Sequence, residues 1–114
     1  MEARMSVKFE ITKNDKGEFY FKLLNGDGKT LLRSEGYNAK TNCTNGVESV
    51  RKNAGDDKRY DMKTASDGRP YFNLKASNGQ IIGTSPLFAF AAACQGGVAA
   101  TKAGAADAPV DDKS

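Results

Sequence analysis

The sequence contains no histidine. That removes the commonest general base and the commonest metal ligand, so a Ser-His or Cys-His nucleophilic pair has no imidazole to activate it. Cysteine is scarce. Cys43 and Cys94 stand alone in their neighbourhoods, and no paired-cysteine spacing exists for zinc or an iron–sulfur cluster. Long apolar runs are missing as well. The longest, Leu87 to Cys94, is dominated by alanine and is far shorter than the ~20 residues needed to cross a bilayer. Met1 to Lys8 carries alternating charges ahead of any apolar stretch, which is not the pattern of a signal peptide. These absences point to a cytoplasmic chain with free thiols, no membrane association, no metal and no cofactor. In that compartment Asn42-Cys43-Thr44 is a glycosylation sequon in form only.

Charge of one sign is also in short supply. The net charge is +3, with 13 Lys and Arg against 10 Asp and Glu in residues 1 to 63, and 4 against 4 in residues 64 to 114. A dedicated nucleic-acid binder shows a denser basic stripe, so a solvated surface of mixed sign is the plainer reading.

What is present is a repeat. Sliding the chain along itself by 51 residues aligns its halves without a gap. Phe9 falls on Tyr60, Gly17 on Gly68, Tyr20-Phe21 on Tyr71-Phe72 and Leu23 on Leu74. Ser34 falls on Ser85, Cys43 on Cys94, Gly46-Val47 on Gly97-Val98 and Ala54 on Ala105. The chain reads as one domain, 1–114, built of a first repeat at 6–56 and a second at 57–110. A disordered tail is expected at 111–114, with at most a short strand around Ala108 to Val110.

Within each repeat the apolar period changes once. Val7, Phe9 and Ile11 alternate with polar residues, as do Phe19, Phe21 and Leu23 after a turn at Asn14 to Gly17. This is the signature of a hairpin with one buried face. A second turn at Asn25 to Gly28 leads to a third strand, Thr30 to Arg33, which Ser34 closes. Ala39, Cys43, Val47, Val50 and Ala54 then recur at spacings of three and four, predicting an amphipathic helix. Gly46 lies inside it, where close approach of helix backbone to sheet would explain a glycine. The second repeat predicts strands at Tyr60 to Thr64, Pro70 to Lys75 and Gln80 to Gly83. Pro70 suits a strand start. Ser85 and Pro86 predict the cap and first position of an alanine-rich helix between Leu87 and Ala105. About fifty residues give one repeat only a marginal core. Two sheets joined edge to edge, both helices on one face, remedy that.

Tyr20-Phe21-Lys22-Leu23, Asn25-Gly26-Asp27-Gly28-Lys29 and Ser34-Glu35-Gly36-Tyr37 closely resemble the YegP-like family of bacterial proteins. The segment Asn45 to Ala54 does so too, as do Tyr71 to Ala76 and Asn78 to Gly83 in the second repeat. The resemblance covers nearly the whole chain. It implies an α+β fold of two tandem β(3)-α-β repeats that form a single antiparallel sheet, with the C-terminal strands exchanged. Lys58 to Lys63 would then close the first unit while opening the second. The second helix, Gln95 to Lys102, departs from the family pattern, which puts a role for the basic pair Arg51 and Lys52 in doubt there. No activity transfers with the resemblance, so fold and function separate.

Few residues invite chemistry. Cys43 lies on the apolar stripe with Val47 and reads as a small buried hydrophobe. Asn25 to Gly28 leads into a strand, not a helix N-terminus, and reads as a hairpin turn in place of a phosphate loop. The acidic pairs Asp56-Asp57 and Asp111-Asp112 sit in a loop and a tail and read as solvated. The sharpest possibility is the open sheet face. Tyr20, Lys22 and Arg33 could share it with Tyr71 and Lys75, aromatics among cations as in some single-stranded RNA binders. Cross-strand packing is the plainer explanation of the tyrosines, and Lys75 is out of register with Lys22. The expected function is a non-enzymatic binding domain, monomeric because duplication supplies the second half internally. The alternative is a weak nucleic-acid or anion binder using the basic first repeat.

Overall fold

The computed structural model describes residues 7–114. Residues 1–6, most of the charged N-terminal stretch and the first residue of the first repeat, lie outside the described residues. The elements run β1 (Lys8–Lys13), β2 (Phe19–Leu24), β3 (Thr30–Arg33), α1 (Lys40–Asn53), β4 (Tyr60–Thr64), β5 (Pro70–Lys75), β6 (Ile81–Thr84), α2 (Ala91–Gly104) and β7 (Val110–Asp112). Short 3₁₀ turns at Asp57–Arg59 and Ala105–Asp107 follow the helices.

The alternation in the sequence becomes two hairpins of the same build. Asn14 Oδ1 accepts the backbone N–H groups of Lys16 and Glu18, each at 3.0 Å. Gly17 and its counterpart Gly68 supply the positive φ that ends each turn, at +83° and +90°. Each third strand closes on a serine. Ser34 Oγ accepts the Phe21 N–H at 3.0 Å, and Ser85 Oγ accepts the Phe72 N–H at 2.9 Å.

The sheet has seven strands in the order β4-β5-β6-β3-β2-β1-β7. The two meanders join at β3 and β6, which run antiparallel with Arg33 opposite Thr84. These positions are 51 residues apart, so a pseudo-two-fold axis passes between equivalent residues. One face carries the core. Phe9, Ile11, Phe21, Leu23, Leu32, Phe72 and Leu74 are buried there with Cys43, Val47 and Val50 of α1 and Cys94 of α2. Each helix packs against strands of both repeats.

The expected architecture holds, with corrections in detail. The sheet is mixed, because β7 pairs parallel to β1. β1 and β3 run the same way, β6 runs opposite to them, and β7, reached through α2, runs opposite to β6 and so along β1. Residues 111–114 are not a disordered tail. Asp111 and Asp112 belong to β7, and the Lys113 N–H donates to the Ile11 carbonyl at 2.8 Å. The second helix starts at Ala91 after Phe90, not at Ser85. The Ser85 hydroxyl serves the sheet and donates to the Pro86 carbonyl at 2.9 Å instead.

Strand exchange is visible at one end: β7, which follows α2, pairs with β1 of the first repeat, while β4, which follows α1, opens the second repeat by pairing with β5. Arg51 reinforces it, donating through one terminal nitrogen to the Ala108 carbonyl and through the other to Glu48, each at 2.5 Å. Its guanidinium carbon stands 5.5 Å over the Phe9 ring. Its counterpart Lys102 pairs with Asp57, which is 51 residues before Ala108. The basic helix ends thus clasp the crossing segments in both directions.

Candidate functional site

The open face of the sheet, away from the helices, carries one row of directly paired residues across all seven strands. Asp61 lies opposite Asn73, Asn73 opposite Thr84, and Thr84 opposite Arg33. Arg33 then faces Lys22, Lys22 faces Glu10, and Glu10 faces Asp111. Both ends of the row are acidic and neutralised. Asp61 is met by Lys75 at 3.1 Å and Lys63 at 3.5 Å. Glu10 is met by Lys113 at 3.2 Å, and Asp111 by Lys8 at 3.1 Å.

The centre is different. Lys22 and Arg33 are like charges directly opposite each other, an arrangement that destabilises a sheet. Among the described residues neither has an acidic partner within ion-pair distance. The equivalent pair in the second repeat, Asn73 and Thr84, is neutral, and the Thr84 hydroxyl donates to Asn73 Oδ1 at 2.7 Å. The two repeats therefore place a charged pair and a hydrogen-bonded pair on opposite sides of the axis. Lys22, Arg33, Thr30, Thr84, Ser85 and Pro86 line a shallow depression of about 330 Å³. The Thr84 and Ser85 hydroxyls already donate inside the protein. A ligand here would be met by the two cations.

Of the five residues singled out in the sequence, the structure brings together Lys22, Arg33 and Tyr20, whose ring lies 6.0 Å from Lys22 Nζ. Lys75 is occupied by Asp61. Tyr71 sits opposite Lys63, and Tyr20 opposite Thr12, on opposite sides of the central row. With three strand spacings between them and about 14 Å along the strands, the two rings are roughly 20 Å apart. That is too far to stack neighbouring bases. Thr84 was not singled out, although the repeat offset itself carries position 33 onto position 84.

The other candidates resolve into structure. Cys43 and Cys94 are both 0% exposed. Burial pushes both thiols up, and at Cys43 Asp112 adds to the rise while Lys40 opposes it. Asp56 accepts the Lys58 N–H at the start of a 3₁₀ turn, and Asp112 pairs with Lys40. Asn25 makes the hairpin turn, accepting from Asp27 and Lys29. Among the described residues no group of three His, Cys, Asp or Glu side chains could hold a metal ion, and no helix is long and apolar enough to cross a membrane.

A duplicated β(3)-α-β unit with one continuous sheet and an uncovered, partly basic face defines the class. The model of the domain of unknown function DUF1508 matches residues 14–61 and again residues 65–112, two matches offset by the same 51 positions. The chain is 44% identical over 110 residues to the UPF0339 protein YegP of Escherichia coli K12, spanning 96% of this chain and 100% of that protein. It is 47% identical over 106 residues to the UPF0339 protein in the ptx operon 5' region of Stutzerimonas stutzeri, covering 93% and 96%. The solution NMR structure of yegP from E. coli matches with a TM-score of 0.89 at 44% identity, over 96% of this chain and 94% of that one. That of a UPF0339 protein from Shewanella oneidensis matches at 0.89 and 37%, over 94% and 91%. The chain belongs to the DUF1508 family, as a two-repeat UPF0339 protein. These descriptions name no activity, so the site speaks through its own residues.

Proposed function

We propose that the protein is a non-enzymatic binding domain, a cytoplasmic monomer, which takes an anionic group between Lys22 and Arg33 at the centre of its open face. The observation that carries this reading is the uncompensated cross-strand pair. Among the described residues the other cations flanking the row on this face, Lys8, Lys63, Lys75 and Lys113, are each matched to a carboxylate. Two facing cations cost stability in the empty protein, and a bound anion relieves that cost. The absence of histidine and the burial of both thiols favour binding over catalysis. The internal pseudo-dimer favours a monomer.

Titration of the labelled protein with pyrophosphate at low ionic strength, followed by amide NMR, tests it. Saturable shifts are expected at Lys22, Arg33, Thr84 and Ser85, fading as salt shortens the screening length toward ~8 Å. Arg33→Thr, which copies the neutral residue of the second repeat, is expected to abolish them. No shift at low salt, or equal shifts around every lysine, would overturn the reading. Single-stranded RNA is expected to bind through its phosphates alone, leaving Tyr20→Leu without effect.

A further inference from the structure

The two repeats are unequal at their outer edges. β1 has β2 on one side and β7 on the other, whereas among the described residues β4 pairs only with β5. β4 is the repeat equivalent of β1, and β1 shows what that edge accepts. Three residues of β7 lie parallel to it, Val110 opposite Phe9 and Asp112 opposite Ile11. The Phe9 N–H donates to the Pro109 carbonyl, and the Ile11 carbonyl accepts from Lys113, each at 2.8 Å. At the other edge the segment equivalent to β7, Arg59 to Asp61, ends a 3₁₀ turn and starts β4. The slot is left over by the duplication itself.

We infer that the free edge of β4 binds an extended peptide of a partner protein, laid parallel to the strand as β7 is laid on β1, with an apolar residue opposite Met62. Main-chain pairing of this kind supplies affinity, and alternate side chains supply selectivity. The surroundings specify the apolar residue. In the first repeat Asp112 is held by Lys40 at the start of α1. The residue equivalent to Lys40 is Ala91, and Phe90 before it is 61% exposed. Met62 is 49% exposed, while its counterpart Ile11, which belongs to the core and lies opposite Asp112 of β7, is 1% exposed. An acidic side chain opposite Met62 would lack the partner that Lys40 gives Asp112. An aliphatic one would cover apolar surface that now faces water.

The probe is a nine-residue peptide copying residues 106–114 with Asp112→Leu, titrated into the intact protein and followed by amide NMR. Saturable shifts confined to Tyr60–Thr64 and the start of α2 are expected. Binding should fall ~10-fold with the unsubstituted peptide, and as much with Met62→Lys protein. Three results would each overturn the inference: no shift at millimolar peptide, equal binding of both peptides, or shifts at Phe9 and Ile11 showing displacement of β7. So would concentration-dependent shifts of β4 without peptide, because a second copy would then be the occupant. The anion site on the open face stands or falls separately.

Discussion

Leu32 fills the space that a side chain at Gly83 would need. A Cβ on Gly83 would fall 2.7 Å from Leu32 Cγ and 3.3 Å from the Arg33 carbonyl oxygen. The two residues are 51 positions apart, equivalent places beside the pseudo-two-fold axis, and only one of them has room to be large. Duplication allowed the halves to diverge here: the first supplies the knob and the second the gap.

Gly83→Ala is therefore expected to cost about 1–3 kcal/mol, because Leu32 is fully buried and the Arg33 carbonyl belongs to the backbone. In the Leu32→Ala background the same change should cost less, the two substitutions sharing one space. Urea unfolding of the two single variants and the double variant measures the coupling. Strict additivity would contradict the contact.

Gly46 and Gly96 should respond to alanine with opposite signs. A Cβ on Gly46 would fall 2.8 Å from Tyr37 Oη and 2.9 Å from Phe21 Cε2, and Phe21 is fully buried. Overpacking of about 1–3 kcal/mol outweighs the helix gain of up to ~1 kcal/mol. Nothing lies within 4 Å of the Gly96 position. Gly96→Ala should stabilise by about 0.5–1 kcal/mol, read as a rise in the thermal midpoint.

The close approach at Gly46 was legible in the sequence, as were the repeat, the strands and the first helix, because each rests on local period or on the 51-residue offset. The misread places are those where a distant partner takes over a locally suitable residue. Ser85 has the chemistry of a helix cap, but the Phe72 N–H claims its hydroxyl. Asp111 and Asp112 look like a frayed tail until Lys8 and Lys40 hold them. Lys75 looked free until β4 set Asp61 beside it. Ion pairing between strands depends on register, and composition does not contain register.

Arg51 and Lys102 occupy equivalent places but should differ in energetic weight. Arg51→Met removes a charge-assisted bond to the Ala108 carbonyl and the contact with Phe9, and is expected to cost about 1–3 kcal/mol. Lys102→Met breaks an exposed pair with Asp57 and should stay within about 0.5 kcal/mol. Denaturant midpoints of the two variants make the comparison.

Acid should loosen β7 from α1. The Asp112 carboxyl is held down to about 2, first by Lys40 and then by the hydroxyl and backbone N–H of Ser114. A carboxylate whose folded pKa is depressed contributes stability above its ordinary value near ~4, and that contribution is lost as the pH falls through about 2. Carboxyl NMR should give a midpoint near 2 for Asp112, and Lys40→Met should move it upward. A midpoint near 4 in the unaltered protein would show that the pair does not form.

Native-state amide hydrogen exchange on the intact chain most directly tests whether the two repeats share one sheet and one core. Phe21 and Leu23 in the first repeat, and Phe72 and Leu74 in the second, should open with one common free energy, that of global unfolding. The Phe9 amide, tied to Pro109 across the exchanged strand, should be protected with them or just below. Two separate opening free energies, one for each repeat, would contradict the account.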